Sequence, residues 1–452
     1  MDTTSINRTL TPAGFAPAGK PANRQERLCH TAQSQRECRG RPTQAPRLAG
    51  LLWLACALAA MGISPAHAQT ATETVLHNFG SNPADGVDPT AGVIGDSDGN
   101  LYGTTTSGGT AGQGVVYKLD PAIQSPGGWL ETVLYTFTGG ADGGNPQAGV
   151  IHDSEGNLYG TSYGGGDLAC GFNGSACGTV FKLDPTGTET VLHRFTGGAD
   201  GSYPAAGVIR DSAGNLYGTA SQGGPDYGVV YKLDTGGHEA VLYSFTGGTD
   251  GSVPDAGVIG DSSGNIYGTT SAGGTAGWGV AYKLDAARQE TVLYSFTGEA
   301  DGGEPNAGVV RDSAGNLYGT TLLGGNTVAC PSSPILHGGC GVVYKLDRAG
   351  NESVLYSFTG GADGGYPTAG VIRDSAGNLY GTTSNYFGAG GYGVVYKLDT
   401  AGNYTVLYSF TGGNDGGNPF AGVIRDSAGN LYGTTRYGGK EGGGVVFRVK
   451  PR

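Results

Sequence analysis

Residues 352–399 read ESVLYSFTGGADGGYPTAGVIRDSAGNLYGTTSNYFGAGGYGVVYKLD. This stretch contains four short apolar runs: Ser353–Phe358, Thr368–Asp374, Leu379–Thr383 and Gly393–Asp399. Each run is rich in Val, Tyr, Phe and Thr, which favour β-strands. Gly, Asp, Asn and Pro separate the runs, and Asp374–Asn378 is typical of a tight hairpin turn. The stretch therefore predicts four consecutive strands.

The same unit occurs seven times. It is marked by an Asn-Leu/Ile-Tyr-Gly-Thr block whose tyrosines, 50 to 62 residues apart, are Tyr102, Tyr159, Tyr217, Tyr267, Tyr318, Tyr380 and Tyr432. Seven four-stranded units of about 50 residues, with no helical segment between them, predict an all-β seven-bladed β-propeller. A β-solenoid is the competing architecture, but solenoid coils usually repeat every roughly 20–30 residues.

Residue size predicts the order of strands within a blade. Ala-Gly-Val opens one strand in every unit, as at Ala369–Val371, and only small side chains fit where strands converge on a propeller axis. We expect this strand innermost, followed outward by Leu-Tyr-Gly-Thr, Gly-Val-Val-Tyr-Lys-Leu and Glu-Thr-Val-Leu. The outer-type strand Glu73–Phe79 precedes every inner strand. We therefore predict that it completes the last blade and closes the ring.

Glycine content narrows the fold class independently. The chain has 452 residues, of which 89 are glycine and 21 are proline. A helical protein is excluded because each glycine in a helix interior costs about 0.5–1 kcal/mol. Collagen is excluded because glycine does not recur at every third residue. A β-rich, turn-rich protein remains.

Residues 1–68 are predicted to be a basic leader and a signal peptide. The apolar run Leu48–Ile63 follows an arginine-rich segment, and Ala66–Ala68 provides a small-x-small cleavage site. About 16 apolar residues are fewer than the roughly 20 that span a membrane as a helix. We expect residues 69–452 to form one propeller domain without a transmembrane anchor. It would be secreted, periplasmic or on the cell surface after cleavage near Ala68.

Cleavage near Ala68 changes the charge. The leader holds eight of the 26 Lys and Arg and three of the 38 Asp and Glu, which leaves 18 basic and 35 acidic residues, a net charge of −17. A nucleic acid is not expected as a partner, because a phosphate backbone needs a basic face.

Four of the seven cysteines follow the leader, as the close pairs Cys170/Cys177 and Cys330/Cys340. An even number of cysteines in an exported protein predicts two local disulfides in an oxidising compartment. Free thiols or a metal site are the alternative.

An Asp-Gly-x-x-Pro motif joins each outer strand to the next inner strand. Its aspartates are Asp85, Asp142, Asp200, Asp250, Asp301, Asp363 and Asp415. We expect the seven links to ring one mouth of the channel, beside the loops that follow the second strands. This acidic ring makes Ca²⁺ the one candidate cofactor, or would attract a cationic or sugar-like ligand. The alternative, which sevenfold repetition favours, is an Asx-type turn with a stiffening proline.

Aromatic residues in the variable loops are candidates for stacking on sugars, with loop packing as the alternative. The loop aromatics are Tyr163, Phe172, Tyr227, Trp278, Tyr386, Phe387, Tyr392 and Tyr437. Trp278, Tyr227 and Tyr392 are our ligand-binding candidates among them. No catalytic set is predicted: the polar residues that break the sevenfold pattern share no catalytic spacing. They are Asp167, His337, Arg436 and Lys440.

The repeats resemble the GloVer tandem-repeat family. The resemblance rests on the Leu-Tyr-Gly-Thr-Thr and Gly-Val-Val-Tyr-Lys-Leu type motifs and runs from about Glu73 to Val449. It implies an exported bacterial surface or secreted protein, and it brings no activity or catalytic residue with it.

We interpret the chain as an exported, monomeric propeller that acts as a binding or scaffolding module for a glycan, peptide or protein. Two alternatives stay open because a fold does not decide a function. One is a propeller enzyme, such as a metal-assisted hydrolase or a polysaccharide lyase. The other is a purely structural envelope protein.

Overall fold

The computed structural model describes residues 71–125, 128–170, 176–330, 338–385 and 391–451. Within these ranges the regular structure consists of strands and turns, and no helix is long and apolar enough to cross a membrane. The predicted leader and signal peptide lie outside the described residues.

Seven antiparallel four-stranded sheets form the seven blades of a β-propeller. In blades 1 to 6 the strands follow chain order outward from the axis. Blade 1 comprises Ile94–Gly95, Leu101–Thr105, Val115–Ser125 and Gly128–Thr136. Blade 2 comprises Ile151–His152, Leu158–Ser162, Thr179–Leu183 and Glu189–Arg194. Blade 3 comprises Ile209–Arg210, Leu216–Ala220, Val229–Leu233 and Glu239–Ser244.

The remaining blades repeat this arrangement. Blade 4 comprises Ile259–Gly260, Ile266–Thr270, Val280–Leu284 and Glu290–Ser295. Blade 5 comprises Val310–Arg311, Leu317–Thr321, Val342–Leu346 and Glu352–Ser357. Blade 6 comprises Ile372–Arg373, Leu379–Thr383, Val394–Leu398 and Tyr404–Ser409. Blade 7 comprises Ile424–Arg425, Leu431–Thr435, Val445–Pro451 and Ala71–Asn78. A short ladder pairs Gly86–Val87 with Ser107–Gly108.

Blade 7 takes its outer strand from the opposite end of the propeller sequence. Ala71–Asn78 pairs antiparallel with Val445–Pro451, which places Val75 opposite Phe447. The Phe79 amide then donates to the Gly444 carbonyl at 3.0 Å. The predicted closure of the ring and the predicted order of strands are both confirmed.

The inner strands meet around the axis through one glycine per blade. These glycines are Gly92, Gly149, Gly207, Gly257, Gly308, Gly370 and Gly422. A methyl group placed on any of them would face the carbonyl oxygen of the equivalent glycine in the preceding blade. Because Gly92 faces Gly422 in the same way, these contacts run around the complete ring. The structure thus confirms that the axis requires small residues.

Neighbouring blades pack through one aromatic pair per seam. The Phe that follows each outer strand lies edge-on to a Tyr or Phe in the third strand of the next blade, with centroids 5.0–5.4 Å apart. The third-strand ring occupies space left by a second-strand glycine, since a Cβ on Gly381 would lie 2.5 Å from the Tyr396 hydroxyl. The hydrophobic core therefore lies in the seams between blades.

Alanine at Gly370 should destabilise the protein, whereas alanine at Gly257 should not. At Gly370 the new methyl group would lie 2.6 Å from the Gly308 carbonyl oxygen, and moving backbone to relieve that overlap costs about 1–3 kcal/mol. At Gly257 the distance to the Gly207 carbonyl oxygen is 3.7 Å, an ordinary contact. We expect Gly370→Ala to lower the free energy of unfolding in urea. Gly257→Ala should leave it unchanged or raise it by about 0.5 kcal/mol. Equal losses in both variants would contradict the axial contact.

Candidate functional site

The seven links and the loops between second and third strands lie together on one face of the propeller, called here the loop face. Backbone bridges join the two sets, for example Gly144 with Gly164 and Gly303 with Leu323. The residue before the proline of every link has a left-handed backbone, with φ between 52° and 64°. Unlike the motif around it, this residue differs from link to link: Asp88, Asn145, Tyr203, Val253, Glu304, Tyr366 and Asn418.

In six links the predicted aspartate closes its own turn. The Asp250 carboxylate accepts hydrogen bonds from the Thr246 amide at 2.8 Å, the Thr246 hydroxyl at 2.6 Å and the Tyr243 hydroxyl at 3.0 Å. Equivalent bonds reach Asp142, Asp200, Asp301, Asp363 and Asp415, with a histidine replacing the tyrosine at Asp200. These bonds support the turn interpretation. The Ca²⁺ site stays a prediction.

Asp85, in the link between blades 7 and 1, departs from this pattern. Its Oδ2 accepts from the Ser81 amide at 3.0 Å and from the Ser81 hydroxyl at 3.2 Å, while its Oδ1 is buried and has no hydrogen-bond partner. His77 Nε2 lies 3.7 Å from that Oδ1 and 3.8 Å from Glu131 Oε2. A cleft of about 320 Å³, lined by His77, Trp129, Glu131 and Lys440 among others, opens beside the three side chains.

Six glutamates in the first half of outer strands face the link aspartates that follow the preceding blade. Burial, followed by the charge of the facing aspartate, raises the pKa of Glu73, Glu189, Glu239, Glu290 and Glu352 to about 7. The same causes raise the pKa of Glu131 to about 8. One oxygen of each carboxyl is buried without a hydrogen-bond partner. These groups were not predicted from the sequence, although the Glu of Glu-Thr-Val-Leu recurs in the repeat.

A second repeated aspartate shapes the hairpin between first and second strands, on the face opposite the loop face. Asp261 accepts from the amides of Ser263 and Asn265, the Asn265 side chain and the Tyr267 hydroxyl. Burial alone would raise the pKa of Asp261, but these hydrogen bonds outweigh it and lower the pKa to about 2. The carboxylate thus accepts from four donors of its own hairpin and lies 3.8 Å from Arg311 Nη2 of the next blade, which gives it a structural role.

The three aromatic candidates occupy one repeated position, directly before the third-strand glycine. Tyr227, Trp278 and Tyr392 each pack over a left-handed glycine of the following link, where a Cβ would lie 2.4 Å from the ring. Tyr227 and Tyr392 remain 43% and 51% exposed. Sequence comparison within the repeat could have shown this equivalence. Their predicted role in binding stays a prediction.

Both predicted disulfides are present, and one cysteine of each occupies the same position as these aromatics. Cys170 is bonded to Cys177, and Cys330 is bonded to Cys340. A Cβ on Gly197 would lie 2.7 Å from the Cys170 sulfur. The disulfides therefore pack over Gly197 and Gly360 of the links, as Trp278 packs over Gly298.

A cleft of about 670 Å³ on the loop face spans blades 1 to 3. Tyr163 and Tyr203 stack in it with ring centroids 5.1 Å apart and an interplanar angle of 29°. Gln113, Asn145 and Gln222 add amide groups to its lining. A second hollow of about 320 Å³ shares Tyr203 and Gln222 and is bounded by Cys170 and Cys177.

Three of the polar residues that break the sevenfold pattern lie in the described part of the chain, and each has its own separate contacts. Arg436 donates through Nε to Asp88 at 3.2 Å and lies over the Phe420 ring. Asp167 accepts from the Ala169 amide within its own loop. Lys440 lines the cleft beside His77. His337, Phe172, Tyr386 and Phe387 lie outside the described residues.

Neutralising two seam glutamates should alter how stability depends on pH. The pKa of Glu290 and of Glu352 rises from 4.5 to about 7 on folding, so their stabilising contribution is complete below pH 4.5 and is lost as the pH rises through 7. We expect Glu290→Gln/Glu352→Gln to raise the melting temperature at pH 8, on the order of 1 °C per substitution, with little change at pH 5. Calorimetry at both pH values measures the difference.

Glu299→Gln is the matched control for this experiment. Glu299 is exposed on the loop face, so removing its charge should not change the pH dependence. Equal gains in melting temperature at pH 5 and pH 8 for the double variant would contradict the assignment of the seam glutamates.

Several solved structures are distantly similar to the chain. A luciferin-regenerating enzyme is 15% identical, with 67% of this chain and 90% of that one covered and a TM-score of 0.38. The extracellular domain of a candidate one-component system from B. thetaiotaomicron is 10% identical, with 83% and 39% covered and a TM-score of 0.47. A puromycin hydrolase is 14% identical, with 77% and 50% covered and a TM-score of 0.45. These similarities carry no argument about function.

A protein-family model identifies the family of the chain. No curated protein sequence gives a significant match. The model of the Gloeobacter/Verrucomicrobia repeat matches residues 62–261, 225–329 and 333–452, which includes nearly every residue of the seven blades. The chain therefore belongs to the Gloeobacter/Verrucomicrobia repeat family.

Proposed function

We propose that this propeller is an exported binding module that takes a glycan in the loop-face cleft of blades 1 to 3. Two disulfides, at Cys170–Cys177 and Cys330–Cys340, fit an oxidising compartment and so support export. The signal peptide predicted within residues 1–68 agrees with that location.

The stacked pair Tyr163–Tyr203 carries the proposal. Ligand sites combine aromatic surface with a few polar groups that fix orientation, and the amides of Gln113, Asn145 and Gln222 surround this pair. Asn145 is itself held by a 3.0 Å hydrogen bond from its Nδ2 to the Thr106 carbonyl. A sugar ring presents C–H faces to the aromatic rings and hydroxyls to the amides, so it matches both features.

The position of Tyr203 strengthens this interpretation. Tyr203 and Tyr366 both precede a link proline with left-handed backbones, yet Tyr366 is 8% exposed and packs in a hydrophobic cluster. Tyr203 instead remains half-buried in the cleft. Because all seven links share this backbone conformation, it is the access of the Tyr203 side chain to the cleft that distinguishes Tyr203.

Charge and size define the ligand class. The side chains lining the larger hollow that the structure describes are uncharged, and the whole chain has a net charge of −12. Both features favour a neutral ligand over a phosphorylated one. The hollows of about 670 Å³ and 320 Å³ adjoin at Tyr203, which offers room for more than one sugar ring.

A glycan array with the wild-type protein, followed by titration of the best ligand, tests the proposal. Tyr163→Ala and Tyr203→Asn should each weaken binding about tenfold or more, because central aromatic contacts dominate binding energy. Asn is chosen at position 203 because Asn145 and Asn418 occupy the equivalent position with the same backbone.

Tyr392→Ala separates this cleft from the alternative aromatic site predicted at Tyr227, Trp278 and Tyr392, because Tyr392 is an exposed aromatic outside the cleft lining. It should bind as the wild type does. The proposal fails if no glycan binds, if a peptide library gives the saturable ligand instead, or if Tyr392→Ala weakens binding while Tyr163→Ala does not.

A further inference from the structure

The seam between blades 7 and 1 is built differently from the other six. Phe79 is six residues before Asp85, whereas Phe137 is five residues before Asp142, as in the other links. The longer turn brings Ser81 rather than a threonine to the aspartate, and both Ser81 bonds go to Oδ2. His77 replaces the tyrosine that donates to the carboxylate in five of the other six links. Together these changes leave Asp85 Oδ1 without a donor.

Three side chains direct ligand atoms at the resulting space. One ligand atom from each of His77, Asp85 and Glu131 lies within 4.8 Å of the other two. His77 Nε2, Asp85 Oδ1 and Glu131 Oε1 are all buried and lack hydrogen-bond partners. The Asp85 side chain is 0% exposed, and those of His77 and Glu131 are 12% and 11% exposed. A buried carboxylate oxygen without a partner is costly unless a cation or donor meets it.

We propose that His77, Asp85 and Glu131 form a site for a divalent transition-metal ion of the Zn²⁺ type. An imidazole with two carboxylates suits such ions, whereas Ca²⁺ takes six to eight oxygen ligands. Ligand atoms about 2.1 Å from a tetrahedral ion lie roughly 3.4 Å from each other. The distances of 3.7 and 3.8 Å from His77 Nε2 to Asp85 Oδ1 and to Glu131 Oε2 exceed this value by a few tenths of an ångström, and one ligand atom from each of the three residues lies within 4.8 Å of the other two.

The site joins three separate pieces of the ring. His77 belongs to the strand that closes blade 7, Asp85 to the link that follows it, and Glu131 to the outer strand of blade 1. The His77 ring is held edge-on to Phe79, with centroids 4.7 Å apart. The neighbouring cleft of about 320 Å³ gives an ion access from solvent. A bound ion would thus hold the closing strand against blade 1.

The seam between blades 2 and 3 provides an internal control. It contains the same three residue types, His193, Asp200 and Glu239. There the Asp200 carboxylate accepts from the Thr196 amide at 2.9 Å and from the Thr196 hydroxyl, and lies 3.3 Å from His193 Nε2. Because both carboxylate oxygens are already bonded, this seam should not bind the ion.

Titration of the metal-free full-length protein with Zn²⁺, by calorimetry and thermal shift, tests the proposal. We expect one equivalent of Zn²⁺ per chain and a rise in melting temperature of about 3 °C at a hundredfold excess over Kd. His77→Ala and Glu131→Gln should weaken binding at least tenfold, since even supporting residues around metal ligands contribute about 10- to 100-fold. His193→Ala should bind as the wild type does.

Co²⁺ provides a readout that does not depend on stability. The wild type and His193→Ala should give the visible absorption of Co²⁺ held by protein ligands, and His77→Ala should not. Circular dichroism of each variant establishes that it is folded. The proposal is overturned if Zn²⁺ does not bind, if folded His77→Ala retains wild-type affinity, or if His193→Ala loses it.

Discussion

The close approach of seven glycines around the axis is the constraint on which the rest of the propeller depends. Each inner strand can approach its neighbour only because the glycine Cα leaves room for a carbonyl oxygen, as between Gly370 and Gly308. That approach brings the sheets near enough for the Phe of one blade to meet the ring of the next, as Phe358 meets Tyr396 at 5.4 Å. Crowding at the centre and aromatic packing in the seams are therefore two results of one geometry.

Repetition made the scaffold predictable from sequence. Ala-Gly-Val marked the inner strand, the outer-type strand before the first blade predicted closure, and the spacing of Cys170 and Cys177 predicted their disulfide. These features depend on residues close in sequence or on what every blade must share. The assignment of Asp-Gly-x-x-Pro to a turn could be made for the same reason.

Contacts across the seams could not be predicted in this way. Glu290 and Asp250 belong to different blades, and their proximity depends on how two sheets are placed side by side. The equivalence of Tyr227, Trp278 and Tyr392 was hidden because their loops differ in length, although all three directly precede the same glycine. Asp85 Oδ1 lacks a hydrogen-bond partner because its link has one additional residue. This difference can be recognised only by comparison with the hydrogen bonds of the other six links.

The left-handed residue before each link proline has a consequence for how such proteins diversify. Its conformation is imposed by the link, whether the side chain is that of Asp88, Tyr203 or Val253. Side-chain identity at these positions is therefore uncoupled from the hydrogen bonds that build the turn. A member of this family can exchange the six partly exposed side chains one at a time while the ring beneath them stays the same, so a new specificity can arise by point substitution without rebuilding a loop.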